Sequence, residues 1–489
     1  MLLGELLQQV RHDRCVRFAE REIRGVCADS RQVSEGDLFV CLSGGKNDGH
    51  DFAPQAVAAG AAALAVEREL DLPVPQIVVQ NGRSAMCDIS AAFYGHPEQK
   101  LKIIGITGTN GKTTTAHMLA SVLTAAGKEC GIIGTLGVRY GGKQYESSLT
   151  TPDPVSLYKI LADMAESGVE YAVMEVSAHA LYFGKTDAIC FEAGIFTNLT
   201  EDHLDFFGTM EEYAAAKERL FERGRCRIAV INSDDAEGRK IAQKCPNAFS
   251  YGLENPADVF AVDIREGFDG STFVINLFDE LYEIRLHMAG MHNVYNALAA
   301  AECARLLGVS LPVIAQGLDA LPRVDGRLEH VAHAFGADIF VDFAHTPDGL
   351  EKSLSALRRN CTGRLICVFG CGGNREVQKR PVMGEISARL ADFSVLTSDN
   401  PRYEDAFDII LNIEEGVRRA TDEYVIVPDR ESAIGYALDL LQAGDVLLVA
   451  GKGGERYQEV MGVRHVYNDV DVIKNLLSAR AEKTGEHEN

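Results

Sequence analysis

Short, nearly unbroken apolar runs recur along the chain and stop abruptly in polar or glycine-bearing loops. They include Asp37 to Leu42, Ile103 to Ile106, Tyr171 to Val176, Ile228 to Ile231, Ile339 to Phe343, Leu365 to Phe369, Phe393 to Thr397 and Val446 to Ala450. Runs of this kind read as strands buried on both faces, and the helical stretches between them predict an α/β fold with largely parallel sheets. Residues 1–98 form a first block, in which Pro54 to Ala65 reads as an alanine-rich helix with proline in its first turn. A second block spans 99–325 and a third 326–489. In the third block the loops Asp342 to His345, Gly370 to Arg375, Ser398 to Arg402 and Gly451 to Glu455 all follow strands, so they are expected to share one crevice at the carboxyl edge of the sheet. The tail after Ala479 reads as frayed.

Length changes this picture little, since 489 residues suit about three domains of ordinary size. Charge changes it more. With 48 basic against 71 acidic residues the net charge is -23, which argues against nucleic acid or an anionic membrane as partner and requires any anionic ligand to meet local basic clusters. The twelve cysteines are scattered without a C-x-x-C pair and read as reduced thiols. An early acidic residue and the lack of a long apolar run give no sign of a leader or a membrane span, so a cytoplasmic protein is expected.

The densest chemistry lies at Gly105 to Thr114, where an apolar strand turns into a helix through Gly108, Thr109, Asn110 and Gly111, followed by Lys112, Thr113 and Thr114. Backbone N–H groups at a helix N-terminus, a lysine and a threonine hydroxyl are what nucleotide phosphates and Mg²⁺ need. The position five residues before Gly111 is Ile106, so the spacing departs from that of common GTPases and kinases. Glu175 is a lone carboxylate near the end of an apolar strand, followed by Ser177 and His179; it suits either Mg²⁺ or a buried cation. Asp202, His203 and Asp205 crowd a polar turn. In the next helix Thr209 and Glu212 form a capping box. That register puts Met210, Tyr213, Ala214, Leu220 and Phe221 on one face with Lys217 at its centre, a lysine aimed inward or snorkelling outward. Asn293, ahead of the helix Ala297 to Leu306, and Arg327 are candidates for nucleotide contacts; a helix cap and a surface arginine are the plainer readings. Arg375, Lys379 and Arg380 concentrate positive charge on a strand-end loop and favour an anionic ligand there.

Thr-Thr-Pro-Asp-Pro (Thr150 to Pro154), Met-Glu-Val-Ser-Ala-His (Met174 to His179), Thr197 to Asp205, Ala-His-Thr-Pro-Asp (Ala344 to Asp348), Gly-Cys-Gly-Gly-Asn-Arg and Asp-Asn-Pro-Arg (Asp399 to Arg402) follow one another in an order that resembles the Mur ligases, from about Asp29 to Asp469. The resemblance implies three domains: one binding a UDP substrate, a central P-loop-like ATPase and a C-terminal Rossmann-like domain. It implies ATP and Mg²⁺, with Lys112 and Thr113 on the phosphates and Thr113, Glu175, His203 and a carbamylated Lys217 around the metal. Asn293, Arg327, Asp342 and His345 would line the adenine and ribose. Ser30, Lys46, Asn47, Thr150, Thr151, Ser177 and Lys185 would hold the UDP substrate, and Arg375, Asp399, Asn400, Pro401, Arg402, Gly451 and Glu455 the incoming amino acid. Asp-Asn-Pro-Arg accompanies meso-diaminopimelate in the family, which implies UDP-N-acetylmuramoyl-L-alanyl-D-glutamate as the other partner. A monomer is expected. Two positions depart from the family pattern: Phe183 and Lys185 replace glutamine and arginine, and Gly454 replaces histidine. The alternatives are the lysine-adding branch and a nucleotide-gated binding protein on the same scaffold.

Overall fold

Each of those apolar runs becomes a strand, because a chain alternating strands with crossover helices can bury both sheet faces. The computed structural model describes residues 1–44, 47–147 and 149–485. It divides into two compact units, one made of Met1–Thr107, Gly127–Ile195 and Ala216–Ala229, the other of Gly108–Ala126, Phe196–Ala215 and Val230 onward. Among the described residues no helix is long and apolar enough to cross a membrane.

The first unit contains a five-stranded sheet in the order Arg14–Val16, Gln76–Val78, Ala63–Val66, Asp37–Val40 and Gly25–Cys27, parallel except at the Arg14 edge. The helix expected over Pro54 to Ala65 ends at Ala58, and Ala63–Val66 is instead a buried strand. Gly60, at φ 106°, breaks the helix, and small alanines fit where the strand is covered on both sides. The unit also holds β1 (Lys102–Thr107) beside β2 (Tyr171–Glu175), which pair in parallel with Glu175 opposite Ile106. Strand Cys130–Gly134 flanks β2 and continues into an antiparallel hairpin, Gly137–Tyr140 with Lys143–Tyr145.

In the second unit α1 (Lys112–Ala125) starts directly after the glycine-rich loop; helix α2, Met210–Glu218, belongs to this unit through Ala215 and to the first from Ala216. Helix α3 runs from Met291 to Leu306, so Asn293 lies inside it rather than ahead of it. Helices α1 and α3 pack together with Leu311–Asp319. A three-stranded antiparallel meander, Val259–Gly267, Gly270–Leu277 and Glu280–Leu286, departs from the largely parallel pattern expected of the central block. The last sheet contains β3 (Ala337–Asp342), followed by α4 (Pro347–Arg358), then β4 (Leu365–Phe369), β5 (Phe393–Leu396) and β6 (Val446–Ala450). Its spatial order is Glu329–Ala334, β3, β6, β4, β5, Tyr424–Ile426. Strands β3, β6, β4 and β5 are mutually parallel, so their carboxyl ends lie on one edge. Alternate residues fill two cores: Phe340, Cys367, Phe369 and Leu448 on one face, Ile339, Val341, Val368 and Val449 on the other. The tail expected to fray is helical through Gly485, as part of a helix that begins at Asp469.

Candidate active site

The loop between β1 and α1 is tight enough to exclude side chains at both of its glycines. A Cβ at Gly108 would lie 1.9 Å from Thr197 Oγ1 and one at Gly111 2.4 Å from Asn296 Oδ1, and both glycines have positive φ. Asn198 braces the loop. Its carbonyl accepts from Thr109 N at 2.8 Å, its Oδ1 from Asn110 N at 2.9 Å, and its Nδ2 donates to Asn110 O at 3.1 Å. Thr197 Oγ1 donates to Asn110 O as well, at 2.6 Å. With those two N–H groups engaged, an anion at this loop would meet the start of α1, whose N-cap Gly111 provides no side-chain cap. Lys112 folds its ammonium back onto the carbonyls of Gly108 and Thr109, both at 2.8 Å. Thr114 is buried behind the loop.

Residues from the C-terminal block reach this loop inside the same unit. Arg327 Nη2 donates to Thr113 Oγ1 at 2.9 Å and its guanidinium lies 4.4 Å from the centre of the Phe343 ring. Asn110 Nδ2 donates to Asp348 Oδ2 at 2.7 Å. Asp342 accepts from the backbone of Leu328 and Ala344, and burial pushes its carboxyl up to about 6 against the pull of Arg327. Burial lowers the His345 imidazole to about 4, and its Nδ1 lies 2.8 Å from Phe343 O. Asn293 is buried, and its Nδ2 donates to the carbonyl of Ala289, just ahead of α3, at 2.7 Å. Gly290, not Asn293, is the N-cap. His203 takes a left-handed conformation at φ 58°, and its Nε2 lies 3.4 Å from Asp202 Oδ2. Against the upward push of burial, His203, His345 and Lys379 hold the Asp202 carboxyl down at about 2.

In the first unit Glu175 is buried, and its carboxylate accepts from Thr135 N at 2.8 Å and Thr135 Oγ1 at 3.1 Å. A Cβ at Gly134 would sit 2.2 Å from Glu175 Oε1, so the position stays bare around the carboxylate. Thr151 Oγ1 donates to Glu175 O and accepts from Ser177 N; Thr150 Oγ1 meets Thr135 Oγ1 at 3.1 Å; and Lys185 Nζ donates to Thr151 O at 3.3 Å. Burial lowers the Lys185 ammonium below its usual range. Thr150, Thr151, Ser177 and Lys185 thus converge. Ser30, on Gln55 at 3.3 Å, and Asn47, whose carbonyl accepts from Gly44 N, keep to contacts of their own near the five-stranded sheet, and Lys46 lies outside the described residues. Lys217 is 1% exposed, on the inward face that the helical phase requires, while Glu211 and Glu212 are exposed. Thr209 Oγ1 accepts from Glu212 N at 3.2 Å and fixes that phase. Among the described residues no three His, Cys, Asp or Glu side chains form a metal cage.

The strand-end loops after β4, β5 and β6 do meet. Arg402 Nη1 donates to Gly373 O at 2.7 Å, and a Cβ on Gly372 would lie 2.9 Å from Arg402 Nη1 and 3.7 Å from Arg375 Cγ. Asn400 Nδ2 donates to Glu455 Oε2 at 2.9 Å, Gly373 N donates to Asn400 O, and Gly373 lies against Pro401 O. Gly451 packs on the carboxylate of Asp399. Two residues that the sequence pattern did not single out hold these loops. Arg430, fully buried against Asp469 at 2.7 Å, donates to Ala450 O at the end of β6 and to Ser398 O after β5. Lys452, also fully buried, reaches Asn400 and Glu455. The positive cluster expected to serve an anion is smaller than its composition: Arg380 is buried in an ion pair with Glu404 at 2.8 Å and braces the loop instead.

Three family descriptions match the chain: Mur ligase family, catalytic domain, over residues 22–94; Mur ligase middle domain over 106–304; and Mur ligase, glutamate ligase domain, over 326–453. Among curated proteins, the UDP-N-acetylmuramoyl-L-alanyl-D-glutamate--2,6-diaminopimelate ligase of Halalkalibacterium halodurans is 41% identical over 483 residues, covering 98% of this chain and 99% of the relative. A ligase of the same description numbered 1 from Clostridium acetobutylicum is 42% identical over 474 residues, 96% of this chain and 97% of the relative. A solved structure of a diaminopimelate ligase with this description superposes with a TM-score of 0.67 at 33% identity, covering 94% of this chain and 95% of that one. MurF from Acinetobacter baumannii shares the fold at a TM-score of 0.67 and 23% identity, over 97% and 98% of the two chains.

Proposed function

Because the chain belongs to the Mur ligase family and has its three-domain architecture, we propose that it is the ATP-dependent ligase joining meso-diaminopimelate to UDP-N-acetylmuramoyl-L-alanyl-D-glutamate in peptidoglycan precursor synthesis. Residues 1–98 bind the UDP substrate, 99–325 form the ATPase and 326–489 bind the amino acid. The enzyme works as a cytoplasmic monomer.

The observation that carries the choice of amino acid is the meeting of Asn400, Arg402 and Glu455 at one sheet edge. The distal end of diaminopimelate carries both an ammonium and a carboxylate. A site with an arginine and a glutamate answers both charges, whereas the distal end of lysine offers only the ammonium.

A carboxylate resists an amine because oxide is a poor leaving group. The substrate's D-glutamyl carboxylate therefore takes the γ-phosphoryl group of ATP to become an acyl phosphate; the amine of the amino acid attacks the acyl carbon, and phosphate leaves. Lys112 neutralises the transferring group, and the N–H groups at the start of α1 hold its oxygens. Arg327 leaves Thr113 Oγ1 for the nucleotide, and Asn293, Asp342 and His345 line its base and ribose. The family resemblance assigns Mg²⁺ to Thr113, Glu175, His203 and a carbamate on Lys217; the ion would supply charge neutralisation. Lys217 is buried on the inward face of α2, and a carbamate there would replace a cation with an anionic donor. Thr150, Thr151, Ser177 and Lys185, with Ser30, Lys46 and Asn47, take the UDP substrate.

The test is phosphate release with UDP-N-acetylmuramoyl-L-alanyl-D-glutamate and ATP while only the amino acid is varied. Turnover with meso-diaminopimelate far above L-lysine is expected; the reverse preference places the chain in the lysine-adding branch, and no turnover with either removes the ligase reading.

A further inference from the structure

Lys452 is fully buried, yet its ammonium ends among the residues that carry the amino-acid reading. Nζ donates to Asn400 Oδ1 at 3.0 Å and to Glu455 Oε2 at 2.9 Å, and it lies 5.7 Å from the centre of the Tyr457 ring and 6.0 Å from that of Tyr467. A lysine seldom gives up its hydration without compensation, and here one carboxylate, one amide oxygen and two aromatic rings supply it. We propose that Lys452 is a positioning residue for amino-acid selection, setting which groups of Asn400 and Glu455 meet the distal end of the incoming amino acid. The inference rests on the assignment of the Asn400, Arg402 and Glu455 edge as the amino-acid site.

The amide of Asn400 can face either way unless its neighbours decide. Two groups that can only donate, Lys452 Nζ and Glu459 N at 2.9 Å, both point at its oxygen. The NH₂ must therefore be turned the other way, where Glu455 Oε2 takes one of its two hydrogens and the second can serve a carboxylate. Glu455 is set by the same contacts. Both protein donors fall on Oε2, which assigns Oε1 to an ammonium, and 22% of the side chain remains accessible. Lys452, together with the Glu459 N–H, thus makes Asn400 a donor, and its bond to Oε2 keeps Glu455 half-satisfied, a pairing that matches a ligand end carrying one carboxylate and one ammonium.

The experiment compares wild type with Lys452→Met and Lys452→Gln in steady-state phosphate release, with meso-diaminopimelate and L-lysine in turn. Met retains length and packs against the tyrosines but donates nothing; Gln keeps one neutral donor. Lys452→Met is expected to raise KM for diaminopimelate about tenfold or more, with kcat and the KM values of ATP and the UDP substrate changing little, and Lys452→Gln is expected to fall between it and wild type. The preference for diaminopimelate over lysine should fall in the same order. Should Met fail to fold, the Gln variant carries the comparison. An unchanged preference in the folded variants, or an equal loss for every substrate, overturns the inference. Arg402→Ala run in parallel separates the two levels: if it too leaves diaminopimelate KM unchanged, the site assignment has failed, whereas a rise in Arg402→Ala alone rejects only the role of Lys452.

Discussion

Arg402→Ala is the most direct probe of substrate choice, and the structure sets its expected size. The residue sits at φ 53°, with its N–H donating to Glu459 O at 3.1 Å and its carbonyl accepting from Met461 N at 2.6 Å, so the backbone is clamped to the hairpin Tyr457–Val466. Alanine tolerates a positive φ no better than arginine, so the substitution leaves backbone strain nearly unchanged. Of the guanidinium, Nη1 is engaged by Gly373 O and Nε lies 3.6 Å from Glu459 Oε2. Part of the guanidinium's donor capacity is thus spent on the protein, and the loss of one charge-assisted hydrogen bond, worth about 1.5–3 kcal/mol, is the measure. That converts to roughly a tenfold to hundredfold loss in kcat/KM for meso-diaminopimelate. L-lysine has no distal carboxylate to lose, so its kcat/KM should move much less. Arg402→Lys keeps the charge without the planar fork and should fall between. The assay is phosphate release at saturating ATP and UDP substrate with each amino acid varied. A diaminopimelate-to-lysine preference unchanged in Arg402→Ala would refute the assignment of this guanidinium to the distal carboxylate.

Lys112→Ala should abolish amide formation while leaving UDP-substrate binding, read by calorimetry, close to wild type, since Lys112 Nζ donates to the Gly108 and Thr109 carbonyls of the loop before α1 and the uridine site is assigned to a different domain; an equal loss of both in a folded variant counts against separate domains for nucleotide and uridine. Lys217→Ala should fold and be inactive, and millimolar short carboxylic acids should restore part of its turnover by standing in for the carbamate; full activity without them rejects the ligand role. Glu302→Leu should stabilise the protein. Neither carboxyl oxygen of Glu302 accepts a hydrogen bond, the side chain is fully buried on α3, and burial holds its pKa well above the usual range. The unfolded chain ionises first, so stability is fully present below about pH 4.3 and is lost as pH rises. The gain in Glu302→Leu, about 1–3 kcal/mol, should thus be larger at pH 8 than at pH 4.5 in urea unfolding, and a pH-independent change would contradict it.

How much of this was legible depended on whether the decisive partner was near in sequence. The turn from β1 to α1 and the inward phase of Lys217 are local properties: glycine placement and a helical period of about 3.6 residues determine them, and both are found. Parallel strands in the C-terminal sheet were readable from their doubly apolar runs. The meander Val259–Leu286 was missed although Gly270–Leu277 alternates buried and half-buried positions, the period of a strand with one covered face. Ala63–Val66 was mistaken for helix because alanine's helical preference is small beside the burial a central parallel strand provides.

Charges were the harder case, and for one reason. Composition counts a cation but does not say what neutralises it. Arg380 reads as part of an anion site until Glu404, 24 positions away, is found beside it. Arg430 and Lys452 read as ordinary surface residues until Asp469 and Asn400 are found at 39 and 52 positions' distance. The useful signal was negative: Lys452 lies between glycines just after a strand with no polar residue, a place where an exposed lysine gains nothing and a buried one must be paired. Arg430 shows what such a residue does once paired. By donating to Ala450 O and Ser398 O it joins the ends of β6 and β5, which are not neighbours in the sheet, and so fixes the separation between the loops bearing Glu455 and Arg402. Arg430 sets that separation at main-chain carbonyls, and Asn400, Lys452 and Glu455 then add side-chain hydrogen bonds between the same two loops.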